Sequence, residues 1–542
     1  MSGSDPAGDD GRDLDAIVVG AGFAGMYMLH RLRELGLSVR VFEAATGVGG
    51  TWYWNRYPGA RCDVESMEYS YGFDEELQQE WKWTERYAAQ PEILRYAEHV
   101  ADRFDLRRDI QFETRVESVH FHDDEARWHV RTSGAEGEQA WTAQFCVMAT
   151  GCLSTANTPD FPGLAEFGGT VLHTGRWPKD EPDLAGRTVG VVGTGSSGIQ
   201  AIPLLAERCG ELYVFQRTAN YSIPARNRPL TAEEQAEIKA IYPEFREANR
   251  HMSPAFGSRL RYGEGSAKEA DPEARDADFR RRWAEGGFGF LGGYTDFLLD
   301  RESNEVAAEW VRNRIRETVK DPEVAELLCP DQVIGCKRIC LDTDYFETYN
   351  RPNVHLVDVS RQPIERITQA GLVAGGREYP LDVLVLATGF DAMTGTLLAI
   401  DIRGRGGKPL SEKWRAGPRT FLGLGIEGFP NLFTISGPGS PSVLTNMIVS
   451  IEQHVEWIRD CIAYLREHGL RTIEATREAE DAWVEHVNAL AAPTLYPTCN
   501  SWYLGANIPG KPRVFMPHIG FPHYVERCDE VAERDYEGFS LG

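Results

Sequence analysis

Apolar residues along this chain fall into two alternating patterns. Asp15-Ala-Ile-Val-Val19 is a short apolar run that leads directly into Gly20. A run of this length, apolar at successive positions, suits a strand covered on both faces. Met26, Leu29, Leu32 and Leu35 follow at helical spacing, and Gly36 closes the predicted helix. Val39 to Phe42 predicts a second strand, ending at Glu43. The plan returns later. Thr188 to Val192 reads as a strand, Ile199, Ile202 and Leu205 as one face of a helix closed by Gly210, and Leu212 to Phe215 as the next strand. Pro203 lies inside that helix and predicts a kink or a shifted hydrogen-bond ladder.

Between about 224 and 330 the pattern changes. Thr231–Arg250 and Asn304–Lys320 are charged and helical in spacing, whereas Gly263–Asp276 is polar and reads as a loop. A buried strand returns at Leu381–Gly389, and a helix is expected over Ile448–Glu467, before the Trp502–Pro517 segment. The fold class is therefore α/β, with two Rossmann-like dinucleotide-binding domains and a helical insertion. The expected divisions are 12–150 and 386–542 for the first domain, 151–223 and 331–385 for the second, and 224–330 for the insertion.

Each strand–helix junction carries a glycine fingerprint, Gly20-Ala-Gly22-Phe-Ala-Gly25 and Gly193-Thr-Gly195-Ser-Ser-Gly198. Such glycines let the backbone approach a pyrophosphate at a helix N-terminus. The residue after the second strand separates the two sites. Glu43 can accept a hydrogen bond from a ribose 2′-hydroxyl, as the adenosine half of FAD requires. Gln216-Arg217-Thr218 offers an arginine for a 2′-phosphate, so NADPH is expected over NADH, with Lys337 as a further cation.

Composition narrows the setting. The chain has 542 residues and is 42 % hydrophobic; 57 basic against 82 acidic residues give a net charge of −25. That balance disfavours nucleic acid and anionic membranes as partners. No apolar run reaches the roughly 18 residues of a membrane span. The acidic start, MSGSDPAGDDGRDLD, has neither the basic nor the apolar part of a signal peptide and reads as a short disordered lead-in. The ten cysteines form no C-x-x-C pair. A cytoplasmic location is expected, with even the closest pair, Cys336 and Cys340, as thiols. Nothing calls for a metal.

Between the fingerprints, Phe167, Gly169, His173, Trp177 and Pro178 fill the pattern F-x-G-x-x-x-H-x-x-x-W-P. With GGTWYWNRYPGARCDVES, FQRTANYSIPAR, CKRICLD, ATGFDAMTG, SGPGSPSVLTNM and SWYLGANIPGKPRVFMP, the chain resembles the flavin-dependent Baeyer–Villiger monooxygenases over nearly its whole length. Ala149-Thr150-Gly151 and Ala387-Thr388-Gly389 resemble the turns that join the domains of two-dinucleotide flavoproteins. The one small departure is Lys179 after Trp-Pro.

The resemblance implies FAD and NADPH as cofactors, and O2 with an apolar ketone as partners. The ketone, whether aryl, cyclic or steroid-like, would become an ester or lactone through a C4a-peroxyflavin and a Criegee adduct, with sulfoxidation as a side activity. Arg338 matches the catalytic arginine and Asp63 the carboxylate that positions it. Cofactor-binding matches are Gly20, Gly22, Phe23, Gly25, Glu43, Gly50, Thr51, Trp52, Asp63, Tyr69, Met447, Gly193, Thr194, Gly195, Ser196, Ser197, Gly198, Gln200, Arg217, Thr218, Lys337, Arg338 and Trp502. Val64, Cys152, Leu153, Ser442, Val443 and Leu444 match substrate-pocket positions. His173 and Trp177 are implied to couple domain movement, with a buried hydrogen-bonded histidine as the other reading. The protein is expected to be a monomer or a weak homo-oligomer.

Overall fold

A computed structural model describes residues 12–542; the expected N-terminal lead-in falls largely outside them. The first strand, Asp13–Val19, lies inside a mixed eight-stranded sheet. It runs parallel to Val39–Phe42 on one side and to Gly137–Met148 on the other. That position explains its apolar run, since Ala16 to Val18 are fully buried. Thr114–His122, Arg127–Gly134 and Gly137–Met148 extend the sheet as an antiparallel meander. Leu432–Thr434, from the C-terminal part, pairs back onto Gly137–Met148. The helix Phe23–Glu34 packs against the 21-residue helix Met447–Glu467. The first nucleotide unit is thereby closed by chain from both ends of the sequence.

The second sheet has five strands in the order Val354–Asp358, Glu211–Gln216, Thr188–Val192, Val383–Leu386 and Thr170–His173, all parallel. The helix Ser196–Arg208 continues through Pro203. The linker motif is part of this sheet, since Thr170–His173 forms its edge. Between the sheet strands lie the helices Ala232–Lys239, Tyr242–Arg250, Pro272–Glu285, Arg301–Thr318 and Pro322–Leu328. The expected helix over 231–250 is two helices, and the second begins with Pro243 in its first turn.

Two expectations are corrected. Gly263–Asp276 is not loop throughout: a helix starts at Pro272, where the Asp271 carboxylate accepts from the amides of Glu273 and Ala274. The polar residues read as loop were in part a helix cap. The cysteines are not all thiols. Cys336 is joined to Cys499, 163 residues later, with the Cα atoms 6.0 Å apart. Folding brings together what sequence spacing kept apart, and Cys340 is a buried thiol.

Candidate active site

The two fingerprints fold into nearly the same turn. Gly20 has φ +102°, and a Cβ there would lie 2.7 Å from the Ala149 carbonyl oxygen; Gly193 has φ +108°, with 2.5 Å to that of Ala387. A Cβ on Gly25 would stand 1.8 Å from the Gly20 oxygen, and one on Gly198 2.4 Å from the Gly193 oxygen. These glycines let strand, turn and helix touch, and they place the A-T-G turns against each fingerprint. Gly195 differs, because nothing lies within 4 Å of its Cβ position. Its open side suits the approach of a pyrophosphate. Neither helix has an acidic residue in its first turn, so nothing opposes an anion there.

Glu43 is 6 % exposed. One carboxylate oxygen accepts from the Ala21 amide at 2.7 Å and the other from that of Ala45 at 2.8 Å. Burial pushes its carboxyl upward, against the pull of those amides. The Ala44 amide is a third partner, and the carboxylate's remaining acceptor site is left for a ribose hydroxyl. Gly50 touches this turn, its Cα facing Gly22. Thr51 begins a short helix, and Trp52 donates its indole N–H to the Tyr69 hydroxyl at 3.1 Å. Phe23 packs edge-on against Tyr69. Met447 opens the long helix beside them, where Asn446 caps Ile448 and donates to the Glu68 carbonyl.

At the second fingerprint, Arg217 and Thr218 are exposed, and the Thr194 hydroxyl donates to the Thr218 carbonyl. Burial lowers the Lys337 ammonium, and the nearby Arg217 adds to the lowering. Among the described residues neither cation forms an ion pair, so a 2′-phosphate would relieve their repulsion. Ser196 and Ser197 face Cys340 and Tyr57. Gln200 is turned toward protein: its amide accepts from the Tyr57 hydroxyl at 2.8 Å and donates to the Arg61 carbonyl at 3.1 Å. The second unit is bolted in this way onto the segment that carries Asp63.

Arg338 is where the two halves meet. Its Nε and Nη2 donate to the Asp63 carboxylate at 2.5 and 2.9 Å, and its Nη1 donates to the Val443 carbonyl at 2.8 Å. Burial opposes the charge, but Asp63 outweighs it and holds the guanidinium above its ordinary range. About a fifth of the side chain stays accessible, 22 %. Val64, Cys152, Ser442 and Val443 are buried around this pair, with Leu153 and Leu444 half-buried against the same core. Cys152 contacts Ser442, and burial pushes its thiol up.

Sequence reasoning missed part of this wall. Phe288 and Phe256 lie under the guanidinium, with ring centroids 5.1 and 6.0 Å from its carbon. Both come from the insertion. The signal was Gly286-Gly287 before Phe288, two glycines at φ +71° and +75° that turn the chain. The Tyr503 hydroxyl lies against the Arg338 backbone, and the neighbouring Trp502 is half-buried. His173 is the buried, hydrogen-bonded kind: its Nδ1 accepts from the Gly175 amide, and its Nε2 meets the Asn157 carbonyl and the Thr388 hydroxyl.

Comparison with known proteins starts from a pyridine nucleotide-disulphide oxidoreductase family model, which matches residues 17–249. A Baeyer–Villiger monooxygenase of Pseudooceanicola batsensis is 42 % identical over 97 % of this chain and 96 % of its own length. The chain belongs to the Baeyer–Villiger monooxygenases. As a member of that family it is an NADPH-dependent flavin monooxygenase, with FAD and NADP as its cofactors. Phenazine N-monooxygenase of Lysobacter antibioticus is 43 % identical over 98 % of both chains. Among solved structures, steroid monooxygenase bound to NADP superposes with TM-score 0.92 at 54 % identity, covering 98 % of this chain and 99 % of that one. The expected α/β class and the two cofactors are borne out. No described helix is long and apolar enough to cross a membrane.

Proposed function

We propose that this monooxygenase converts apolar ketones, whether aryl, cyclic or steroid-like, to esters or lactones, and oxidises sulfides as a side activity. One observation carries the reading: a guanidinium held by Asp63 and the Val443 carbonyl, partly accessible, inside an otherwise apolar wall. FAD, reduced by NADPH, supplies the activated oxygen when bound. The chain's residues do the rest. Arg338 stays charged at any working pH and stabilises negative charge as it develops on the substrate oxygen. Asp63 fixes its direction. Val64, Cys152, Leu153, Val443 and Leu444, with Phe256 and Phe288, exclude water and hold the ligand body. Glu43 and the first fingerprint hold FAD; Arg217, Lys337 and the second hold NADPH. The reading keeps the domain divisions given above, a cytoplasmic location, and a monomeric or weakly associated state.

The test is isotopic. With labelled dioxygen, NADPH and a ketone panel, an ester should gain one labelled oxygen. Arg338→Ala should keep FAD yet lose ester formation by at least about 10²-fold, the usual cost of losing such a charge stabiliser. Asp63→Ala should act in the same direction, more mildly. The phenazine N-monooxygenase relative favours a second reading, oxygen transfer to an aromatic nitrogen. Turnover of N-heterocycles with no labelled ester from any ketone would select it.

A further inference from the structure

The Cys336–Cys499 bond joins two stretches at the site that lie 163 residues apart in the sequence. Cys336 directly precedes Lys337 and Arg338, and Cys499 stands three residues before Trp502. The C-terminal stretch has little regular structure of its own, only the short turns Tyr496–Thr498 and Trp502–Leu504. It is seated by separate bonds to different parts of the molecule. The Leu495 amide donates to the Leu298 carbonyl of the insertion. Asn507 donates to the Phe390 carbonyl, and the Lys511 ammonium reaches Asp391. Tyr503 rests on Arg338. Tyr496, Cys499, Tyr503 and Leu504 are buried in the core beside Arg338, so the seating of the segment bears on access to that residue.

We propose that Cys336 and Cys499 form a reversible thiol–disulfide site that sets how firmly residues 495–517 close over Arg338 and the neighbouring Lys337. The proposal rests on the NADPH role given to Lys337 and Arg217. The bond removes much of the segment's freedom before the ligand arrives, so less ordering remains when NADPH binds. Reduction takes two electrons and two protons from a dithiol, which leaves as its own disulfide while Cys336 and Cys499 become thiols. Hydrogen peroxide reverses the step: the two thiols give up two electrons and two protons, the sulfur–sulfur bond forms, the oxygen–oxygen bond breaks, and the peroxide leaves as two waters. Both residues are buried, at 2 % and 5 % exposure, so reduction needs the segment to lift. Ligand binding and reduction therefore oppose each other.

The experiment uses the FAD-loaded enzyme, treated with glutathione disulfide or with dithiothreitol and then desalted. Denatured protein should give eight titratable thiols after the first treatment and ten after the second, for the eight free cysteines and the one bond. NADP should slow the dithiothreitol reaction. The apparent dissociation constant for NADPH, read from anaerobic flavin reduction, should rise by roughly three- to tenfold on reduction. Cys336→Ser and Cys499→Ser should each match the reduced enzyme and ignore dithiothreitol. Ten thiols after every oxidant, or reduction unaffected by NADP, would overturn the proposal. So would an NADPH constant that changes in the serine variants but not on reduction of the wild type. Normal flavin reduction with one unchanged constant in both forms overturns the proposal alone. Absence of NADPH-driven flavin reduction in both forms overturns the NADPH reading with it.

Discussion

In the first nucleotide unit the carboxylate that follows the second strand is buried, and it is turned back onto the amides of Ala21 and Ala45. In the second unit the strand ends at a buried Gln216, whose amide donates to the Leu327 carbonyl, and the cation beside it, Arg217, is exposed. The turns themselves are nearly superimposable in kind, each with a glycine at φ just above +100° against a small-residue strand end. The fingerprint is thus common geometry, and the discrimination lies just past the second strand. An enclosed carboxylate suits a cofactor that stays in place, and an exposed cation suits one that comes and goes.

The largest effects should come from adding one carbon to each turn. Gly25→Ala places a Cβ 1.8 Å from backbone, so we expect protein that is insoluble or colourless. Gly198→Ala meets backbone at 2.4 Å in the other sheet. It should stay yellow, with close to one FAD per chain, while flavin reduction by NADPH slows by about 10²-fold or more. Absorbance spectra and stopped-flow reduction check both. A colourless Gly198→Ala protein would mean that the two units do not fold independently.

The same comparison shows what can be read from sequence. Val39–Phe42 and Thr188–Val192 were legible to the residue: Val189 to Val192 is an unbroken run buried throughout, and Val39–Phe42 is interrupted only by the half-buried Arg40. Asp63 and Arg338 were legible only through their motifs, since a pair 275 positions apart leaves no local pattern. Phe256 and Phe288 were not legible. Their region reads as charged helices facing water, and only the tertiary fold turns two of its rings onto a guanidinium. The Cys336–Cys499 bond was hidden for a related reason, because its partners lie in different segments, each looking like ordinary loop.

Each half also buries carboxyl groups that burial pushes upward, Glu43, Glu68 and Glu452 in the first and Asp342 in the second, and Glu68 and Asp342 give testable contributions to the pH response. Burial raises Glu68 to about 7 from an ordinary 4.5, and Asp342 to about 6 from 3.8. A carboxyl with a raised folded pKa contributes its stability fully below its unfolded pKa and loses it as pH rises through the folded value. The Asp342 contribution should therefore fade between about pH 4 and 6, and the Glu68 contribution between about pH 4.5 and 7, each on the order of 3 kcal/mol. Burial holds the His454 and His518 rings down to about 3, so their contribution runs the other way, lost as pH falls below about 6.5, and the carboxyl contributions are read as differences between wild type and variant. Glu68→Gln should flatten the upper part, with its largest relative gain above pH 7. Asp342→Asn should gain less than burial alone implies, because its amide nitrogen cannot accept the bond that the Ser222 hydroxyl or the Tyr345 amide now donates. A Glu68→Gln protein whose midpoint follows the wild-type pH profile unchanged would contradict the sign.

The smallest effect is the one that speaks most directly to the difference between the units. Arg217 lies on the surface, its removal leaves no buried partner unsatisfied, and stability should hardly change. What should change is the choice between two cofactors that differ by one phosphate. A charge-assisted contact is worth about 1.5–3 kcal/mol, so Arg217→Ala should raise the Michaelis constant for NADPH by roughly ten- to a hundredfold. The constant for NADH should barely move, since NADH has nothing for the guanidinium to hold. Arg217→Lys should recover part of the preference, because it keeps the charge and loses the planar fork. FAD content should be the same in all three proteins. Equal losses for NADPH and NADH would place Arg217 in the architecture of the turn, and would leave Lys337 as the cation that reads the phosphate.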